Sequence, residues 1–469
     1  MKPIIIDFSD SSSESLYIQL YEKIRDGILS GEIKEGEKLP SLRSLSKILD
    51  VSITTTQTAY NQLLVEGYII SRPQSGYYAA QGLSTSQLPY SPGRQAPLTE
   101  QVFKSEENPY ICDSECFDFV KWKKCASKVY SEYSDLLLFE SNPQGEAALR
   151  HEIARYVYSA RGVTCKPEQI VIGAGTQQIT SHLCRILKRL EADHVSLESP
   201  GYLPVQSMFR ENGFAISHIP VTREGIDISK LPMNIASAVY VIPSNQFPTG
   251  AVMPIGRRRQ LLSWAFQNDS FIIEDDYDSE FRYTGRPIPT LQSIDDRGRV
   301  IYLNTFSQTI SPSMRLGFLV LPPRLLERYR QELGFYACTV PALEQHVLAR
   351  FIAGGHYERH LSRMRKEYRD RRSATISAFR ASPLASHVTF SEEGAGLHFL
   401  LRLDTNRSDE ELRRLTAEAG IRLSFLSEYA AVPDPRFAHT LVVNYAGLSQ
   451  SDLEEALRLL TDVLLPLLA

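Results

Sequence analysis

Residues 305–318 read TFSQTISPSMRLGF, and the fold turns on how that run is parsed. The residues before it, VIYLN, are apolar and of strand composition, and so is MRLGFLVLP, which overlaps its end. Between them Thr305, Ser307, Gln308, Ser311 and Pro312 are too polar and too broken to continue either run. VIYLNTFSQ is thus a strand that ends in a polar cluster. The same pattern recurs along the chain. QIVIGAG ends at Gly175-Thr176, HVSLESPGY at Pro200-Gly201-Tyr202, SAVYVIPSNQ at Ser244-Asn245-Gln246, and SFIIEDDYD at Asp275-Asp276-Tyr277. Helical patterns at Ile179–Leu190 and Arg257–Ala265 fall between several of these runs. Strands alternating with helices predict a mostly parallel α/β sheet. In such a sheet ligands sit just beyond the carboxyl ends of the strands. One polar cluster alone is an ordinary strand-to-helix turn; five in succession predict one shared pocket.

The whole chain sets wide bounds. Its 469 residues call for two or three domains. A hydrophobic content of 43% with 23% charged residues is that of a soluble globular protein. A net charge of −4 gives no overall pull toward nucleic acid or membrane. Cys112, Cys116, Cys125, Cys165, Cys184 and Cys338 form no C-x-x-C pair and no metal-ligand spacing with histidine, so they read as buried thiols. No metal site is expected. The start, MKPIIIDFSD, lacks signal-peptide character, and no apolar run reaches the ~18 residues that span a bilayer. The expected location is cytoplasmic, with no membrane partner. There are no internal repeats.

Residues 14–80 differ from the rest. Leu16, Leu20, Ile24 and Ile28 share a helical face that stops at Ser30-Gly31. LPSLRSLSKILDVS predicts a second helix, with Pro40 at its start and Leu42, Leu45 and Ile48 as an apolar stripe. Ser52 can cap a third helix, ITTTQTAYNQLLVEG. YIISRP, QSG and YYAA then form a hairpin. Helix, helix, turn, helix and hairpin is a winged helix-turn-helix layout, a small α+β domain over residues 1–80. Residues 81–110 (QGLSTSQLPYSPGRQAP and beyond) read as a flexible linker.

LPSLRSLSKILDVSITTTQTAYNQLLVEGYIISRPQSGYY resembles the winged helix of GntR-type repressors. The resemblance implies contacts to a double-stranded DNA operator from Ser41 and Arg43, from Ser52, Thr54, Thr55 and Thr56 at the recognition-helix start, and from Arg72, Ser75 and Gly76 at the wing. Short hydroxyls at a helix N-terminus suit phosphate, and arginine suits guanine. Two positions depart from the family pattern. Ile53 replaces a guanine-reading arginine and is able to meet a thymine methyl instead; Gln74 stands in the wing where the family has glycine. With 8 Lys/Arg against 10 Asp/Glu in residues 1–80, DNA affinity has to come from a local patch (Lys38, Arg43, Lys47, Arg72) and from dimerisation.

Residues 111–469 resemble class I aminotransferases, with the α/β fold type I architecture of enzymes that use pyridoxal 5'-phosphate (PLP) and a small C-terminal α/β subdomain. The motifs are NPQGEAALR, YSARGVTCKPEQIVIGAGTQQ, ESPGY, PSNQFPTG, EDDYDSEFRY and SPSMRLGF. Winged helix, linker and aminotransferase-like domain in that order resemble MocR-type regulators. The resemblance implies a homodimer, often head-to-tail, with pockets near the dimer interface. It implies PLP-phosphate contacts from Gly175, Thr176, Gln177, Thr305, Ser307 and Arg315. Tyr202 would stack on the pyridine ring, Asp275 would pair with its nitrogen, and Tyr277, with Asn245 as a weaker partner, would reach the ring hydroxyl. The family's asparagine for that hydroxyl falls at Phe247 here.

Two further departures remove chemistry. Gln308 stands where the family's lysine bonds covalently to PLP, and no lysine lies between Lys230 and Lys366. An amide neither forms an imine nor shuttles a proton, but it still hydrogen-bonds. Val442, in LVVNY, stands where an arginine would clamp a substrate carboxylate. No catalytic residue is therefore assigned. The expected function is a DNA-binding regulator that takes a B6 vitamer, PLP or pyridoxamine 5'-phosphate (PMP), non-covalently as its small-molecule effector, with vitamin B6 metabolism as target. The alternatives are a regulator responding to an amino acid or PLP–amino acid adduct, a ligandless dimerisation scaffold, and an active aminotransferase, which Gln308 opposes.

Overall fold

The computed structural model describes residues 15–82, 117–283, 288–391, 394–447 and 450–468. The predicted linker at 81–110 lies almost entirely outside the described residues, as do Cys112 and Cys116. The chain divides into two compact units, Met1–Glu106 and Glu107–Ala469.

The first unit has helices α1 (Leu16–Leu29), α2 (Leu42–Leu49) and α3 (Ile53–Val65), then a hairpin of β1 (Ile69–Arg72) and β2 (Gly76–Ala79). Leu20, Ile24 and Ile28 of α1 pack on Leu45, Tyr60, Leu63 and Ile69, while Leu16 at the end of that face is 46% exposed. The predicted stripe on α2 is corrected in one position. Ile48 is 56% exposed, and Leu49 joins Leu42 and Leu45 against the core. Pro40 also lies one residue earlier than expected, because the Ser41 hydroxyl caps α2 by accepting from Ser44 N. Asp50 then turns left-handed (φ 51°), and Ser52 caps α3 by accepting from Thr55 N. Residues 37–39 lie beside β2, with Leu39 N donating to Tyr77 O at 2.8 Å. The wing is thus anchored along both sides.

The second unit opens with α4 (Phe119–Glu132) and α5 (Ala147–Arg161). Strand–helix units follow: β3 (Ile170–Gly173), α6 (Gly175–Lys188), β4 (His194–Ser199), α7 (Leu203–Glu211), β5 (Ala215–Thr222), β6 (Gly225–Ile226), β7 (Ala238–Val241), α8 (Ile255–Gln267), β8 (Phe271–Asp275), β9 (Val300–Thr305) and β10 (Gly317–Val320). They make one eight-stranded sheet of order β3-β10-β9-β8-β7-β4-β5-β6. β4, β5, β7, β8 and β9 run parallel, and β10 is antiparallel to both β3 and β9. Central strands such as FIIED are wholly buried, because helices cover both faces.

Helices α9 (Pro323–Leu333), α10 (Ala342–Ala353) and α11 (His356–Ala381) lead to a small subdomain. There β11 (Val388–Ser391), β12 (His398–Leu403) and β13 (Thr440–Asn444) form an antiparallel sheet, with α12 (Asp409–Glu418) between β12 and β13 and α13 (Gln450–Leu464) after it. Its core gathers Tyr368, Phe379, Phe399, Leu412, Leu441 and Leu464. The architecture expected from the sequence, a winged helix-turn-helix followed by a mostly parallel α/β sheet unit with a small C-terminal α/β subdomain, is the one observed.

Candidate functional site

Because β3 runs parallel to β9, the carboxyl ends of β3, β4, β7, β8 and β9 face one edge of the sheet, and the amino end of β10 returns to it. All five polar clusters therefore share that edge.

Helix α6 starts at Gly175, with only Ala174 between it and the end of β3. The first amides, of Gly175, Thr176 and Gln177, have no preceding turn to bond, so they stand as donors at the positive end of the helix dipole. Gly175 has φ +80°, and a Cβ there would lie 2.7 Å from Arg315 Nη2. Glycine lets that guanidinium come close, and its Nη2 donates to Ala174 O at 3.2 Å. Arg315 is itself left-handed (φ 50°, ψ 43°), a conformation that costs a non-glycine residue about 1–3 kcal/mol. Thr305 Oγ1 and Ser307 Oγ are 2.9 Å apart, and Ser307 N donates to Thr305 Oγ1 at 3.2 Å. Amides, hydroxyls and a guanidinium are thus brought together at this edge of the sheet. Gln308 follows, half-buried, and its amide makes no hydrogen bond among the described residues.

Tyr202 sits at the start of α7, 37% exposed, with its ring edge-to-face to Phe247 at 6.3 Å. Phe247 also meets Tyr277, His398 and Tyr429 at 6.5, 5.3 and 5.1 Å, so this position supplies an apolar hub. Asp275 ends β8 and is 4% exposed; its Oδ2 accepts from the Tyr240 hydroxyl, and its Oδ1 has no hydrogen-bond partner among the described residues. Tyr277 Oη is buried near the Asp278 carboxyl without a well-aligned hydrogen bond to it. Asn245 is turned to the same carboxyl, its Nδ2 donating to Asp278 Oδ2 at 2.8 Å. Gly396 locks it there, since a Cβ on Gly396 would stand 2.1 Å from Asn245 Nδ2.

Several groups escaped the sequence reading. Arg161 forks onto Asp276 at 2.7 and 3.0 Å and donates to Ser244 Oγ at 2.8 Å, while the Tyr302 hydroxyl donates to Asp276 at 2.7 Å. Burial alone would raise the Asp276 carboxyl, but Arg161 and Tyr302 hold it below the usual carboxylate range. Glu198, buried beneath Tyr202, has only Ile242 N and Gln246 Nε2 on Oε2, and burial pushes it up to about 8. Asp275 is likewise pushed up by burial, to about 7, against the Tyr240 hydrogen bond that lowers it and with the Asp276 charge that adds to the rise.

A pH dependence follows. Between about pH 4 and 7 the folded apo protein keeps a proton on Asp275 that the unfolded chain releases, so this carboxyl costs stability as pH rises. Asp275→Asn removes that loss. The variant should gain on wild type by roughly 1.4 kcal/mol per pH unit across this window, read from urea unfolding at several pH values. Parallel pH profiles for the two proteins would refute it.

In the first unit Arg43, Ser52 and Thr54 are exposed, and Thr55 is half-buried with its hydroxyl 2.8 Å from Ser52 Oγ. Thr56 is corrected: it is fully buried, with Oγ1 donating to Ile53 O at 2.8 Å, so it cannot touch DNA. In the wing, Arg72 lies over the Tyr78 ring at 4.6 Å, Ser75 Oγ is 2.6 Å from the Tyr78 hydroxyl, and Gly76 takes φ +109°. Among the described residues no metal-binding cluster occurs, and no helix is long and apolar enough to cross a membrane. Cys125 and Cys184 are buried free thiols; Cys165 and Cys338 are half-buried and also free.

Residues 16–78 match the gntR family of bacterial regulatory proteins, and residues 113–460 match aminotransferase class I and II. The chain is 38% identical to the "Uncharacterized HTH-type transcriptional regulator YhdI" of Bacillus subtilis, over 99% of each chain. It is 32% identical to the "Probable rhizopine catabolism regulatory protein MocR" of Rhizobium meliloti, over 96% of this chain and 94% of that one. It is also 32% identical to the HTH-type pyridoxine biosynthesis transcriptional regulator PdxR of Corynebacterium glutamicum, over 88% and 89%. Among solved structures, a Pyrococcus horikoshii kynurenine aminotransferase in complex with PMP superposes with a TM-score of 0.64 at 21% identity, covering 79% of this chain and 97% of that one.

Proposed function

The chain belongs to the aminotransferase class I and II family and carries a gntR-family regulatory domain ahead of that part, and from this membership we propose that it is a DNA-binding transcriptional regulator whose effector is a B6 vitamer, PLP or PMP, held without a covalent bond. What supports this reading is the gathering of the α6 N-terminal amides, Thr305, Ser307 and Arg315 at one sheet edge, next to Gln308, which falls where the resemblance expects a lysine. The donor set suits a phosphorylated pyridine. The Gly175–Gln177 amides, Thr305, Ser307 and Arg315 would hold the phosphate. Asp275 Oδ1, buried and unpartnered, suits a ring N–H, and Tyr202 and Phe247 suit the ring faces and edge. When bound, such a ring would supply an electron sink. This chain's residues would use it differently: they would bind and orient it, while Gln308 would offer an amide for hydrogen bonding and no base to move a proton.

Val442, on β13, supports a non-amino-acid effector, since it offers no fork to a carboxylate. The PdxR relative, named for pyridoxine biosynthesis, supports genes of vitamin B6 metabolism as targets. In this reading residues 1–80 bind the operator, 81–110 link, and 111–469 bind effector and dimerise head-to-tail in the cytoplasm.

The test is a PLP titration of the full chain followed by absorbance and fluorescence, with borohydride treatment and mass spectrometry after saturation. The expected result is saturable micromolar binding that leaves no reducible adduct at the site. A stable lysine adduct there would overturn the non-covalent reading, and no binding would reduce the large unit to a dimerisation scaffold.

A further inference from the structure

Helix α3 carries an exposed face on which two side chains, Ile53 and Gln57, stand together. Thr56 turns inward, and Ile53 and Gln57 turn out. Ile53 is the first residue of α3 and is 50% exposed, so its aliphatic side chain is open to contact from outside the fold. Gln57 lies one turn further on, at i+4, hence on the same face. Its amide has no hydrogen-bond partner among the described residues, and it is exposed. The surroundings suit DNA: Arg43 and Lys47 are exposed, with no acidic partner among the described residues, and Ser41 and Ser52 cap two helix N-termini.

We infer that Ile53 and Gln57 together read adjacent A·T pairs in the major groove of the operator half-site. The chemistry is specific. In the major groove thymine alone of the four bases carries a methyl group, which an aliphatic side chain covers, and adenine alone offers the N6 donor and N7 acceptor that a glutamine amide meets with two hydrogen bonds. An arginine at position 53 would demand guanine; an isoleucine excludes that contact, since guanine N7 and O6 would be left unpaired against a hydrocarbon. The inference rests on the DNA-binding reading above.

The experiment selects bound sequences from a randomised duplex library with full-length protein at fixed salt, then measures binding to the selected site. A T·A pair beside an A·T pair should be required in each half-site. Replacing that thymine by deoxyuridine should weaken wild type about fourfold, the worth of one buried methyl group, and leave Ile53→Ala unaffected. Replacing the adenine by 7-deazaadenine should weaken wild type roughly fivefold or more and leave Gln57→Ala unaffected. Ile53→Arg should move the preferred base to guanine. Both side chains are exposed, so these variants keep the fold, which circular dichroism checks. A selected site that wild type binds equally with thymine and uracil, or whose preference survives Ile53→Arg, overturns the inference while leaving DNA binding intact. If no sequence is enriched, the DNA-binding reading fails and the inference with it.

Discussion

Arg315→Ala is expected to weaken PLP binding by ten- to a hundredfold and to abolish the DNA response to ligand, with apo DNA affinity unchanged. The guanidinium supplies the only full positive charge among the groups assigned to the cup, and hydrogen bonds to a charged partner contribute about 1.5–3 kcal/mol. The backbone sharpens the test. Arg315 is left-handed, so alanine keeps the strain that the arginine already bears and glycine relieves it. Arg315→Gly removes the same side chain without it. Equal losses of PLP affinity in both variants would identify the guanidinium as the cause. Wild-type affinity in Arg315→Gly would remove this residue from the cup. Ligand reaches DNA binding only through different affinities for two arrangements, and a tenfold response needs about 1.4 kcal/mol, within what one such contact provides.

The second large effect concerns folding. Arg161→Met should destabilise the second unit by about 3–5 kcal/mol, because it strands the Asp276 carboxylate in a site where both partners are at most 3% exposed. Arg161→Met with Asp276→Leu should recover much of that loss, since an apolar pair of similar volume removes both buried charges. Urea unfolding of the three proteins decides it. A double variant as unstable as the single one would mean that the ion pair itself, and not the orphaned charge, carries the stability.

The two cases also mark how far residues alone lead. Strand ends such as VIYLNTFS and SFIIEDDYD were legible because apolar runs and polar clusters alternate sharply, and the class of both units followed. The glutamine at 308 was legible because its neighbours match a family motif closely. Arg161 and Asp276 were not paired in advance, since 115 residues separate them and only the sheet brings them together. Thr54, Thr55 and Thr56 look equivalent in a row, yet a helix advances 100° per residue, so the third points into the core. Ile48 and Leu49 exchanged places for the same reason: an eight-residue helix has too few turns for its stripe to be unambiguous. Asn245 was assigned to a ring hydroxyl because nothing local reveals that Gly396, in another subdomain, presses it against Asp278.

The place of β10 in the sheet has a consequence for the ribosome. Among the described residues β3 is an edge strand whose sole neighbour is β10, paired Gly173 to Gly317 and Ile170 to Val320. That neighbour is synthesised roughly 145 residues later, some 7–30 s at ordinary elongation rates. Until then IVIG has no partner, and such a bare strand invites pairing with other nascent chains. Its brevity, four residues between two helices already made, limits the hazard. The proposed anion cup, whose two halves meet across this same pairing, is therefore among the last parts of the sheet to exist.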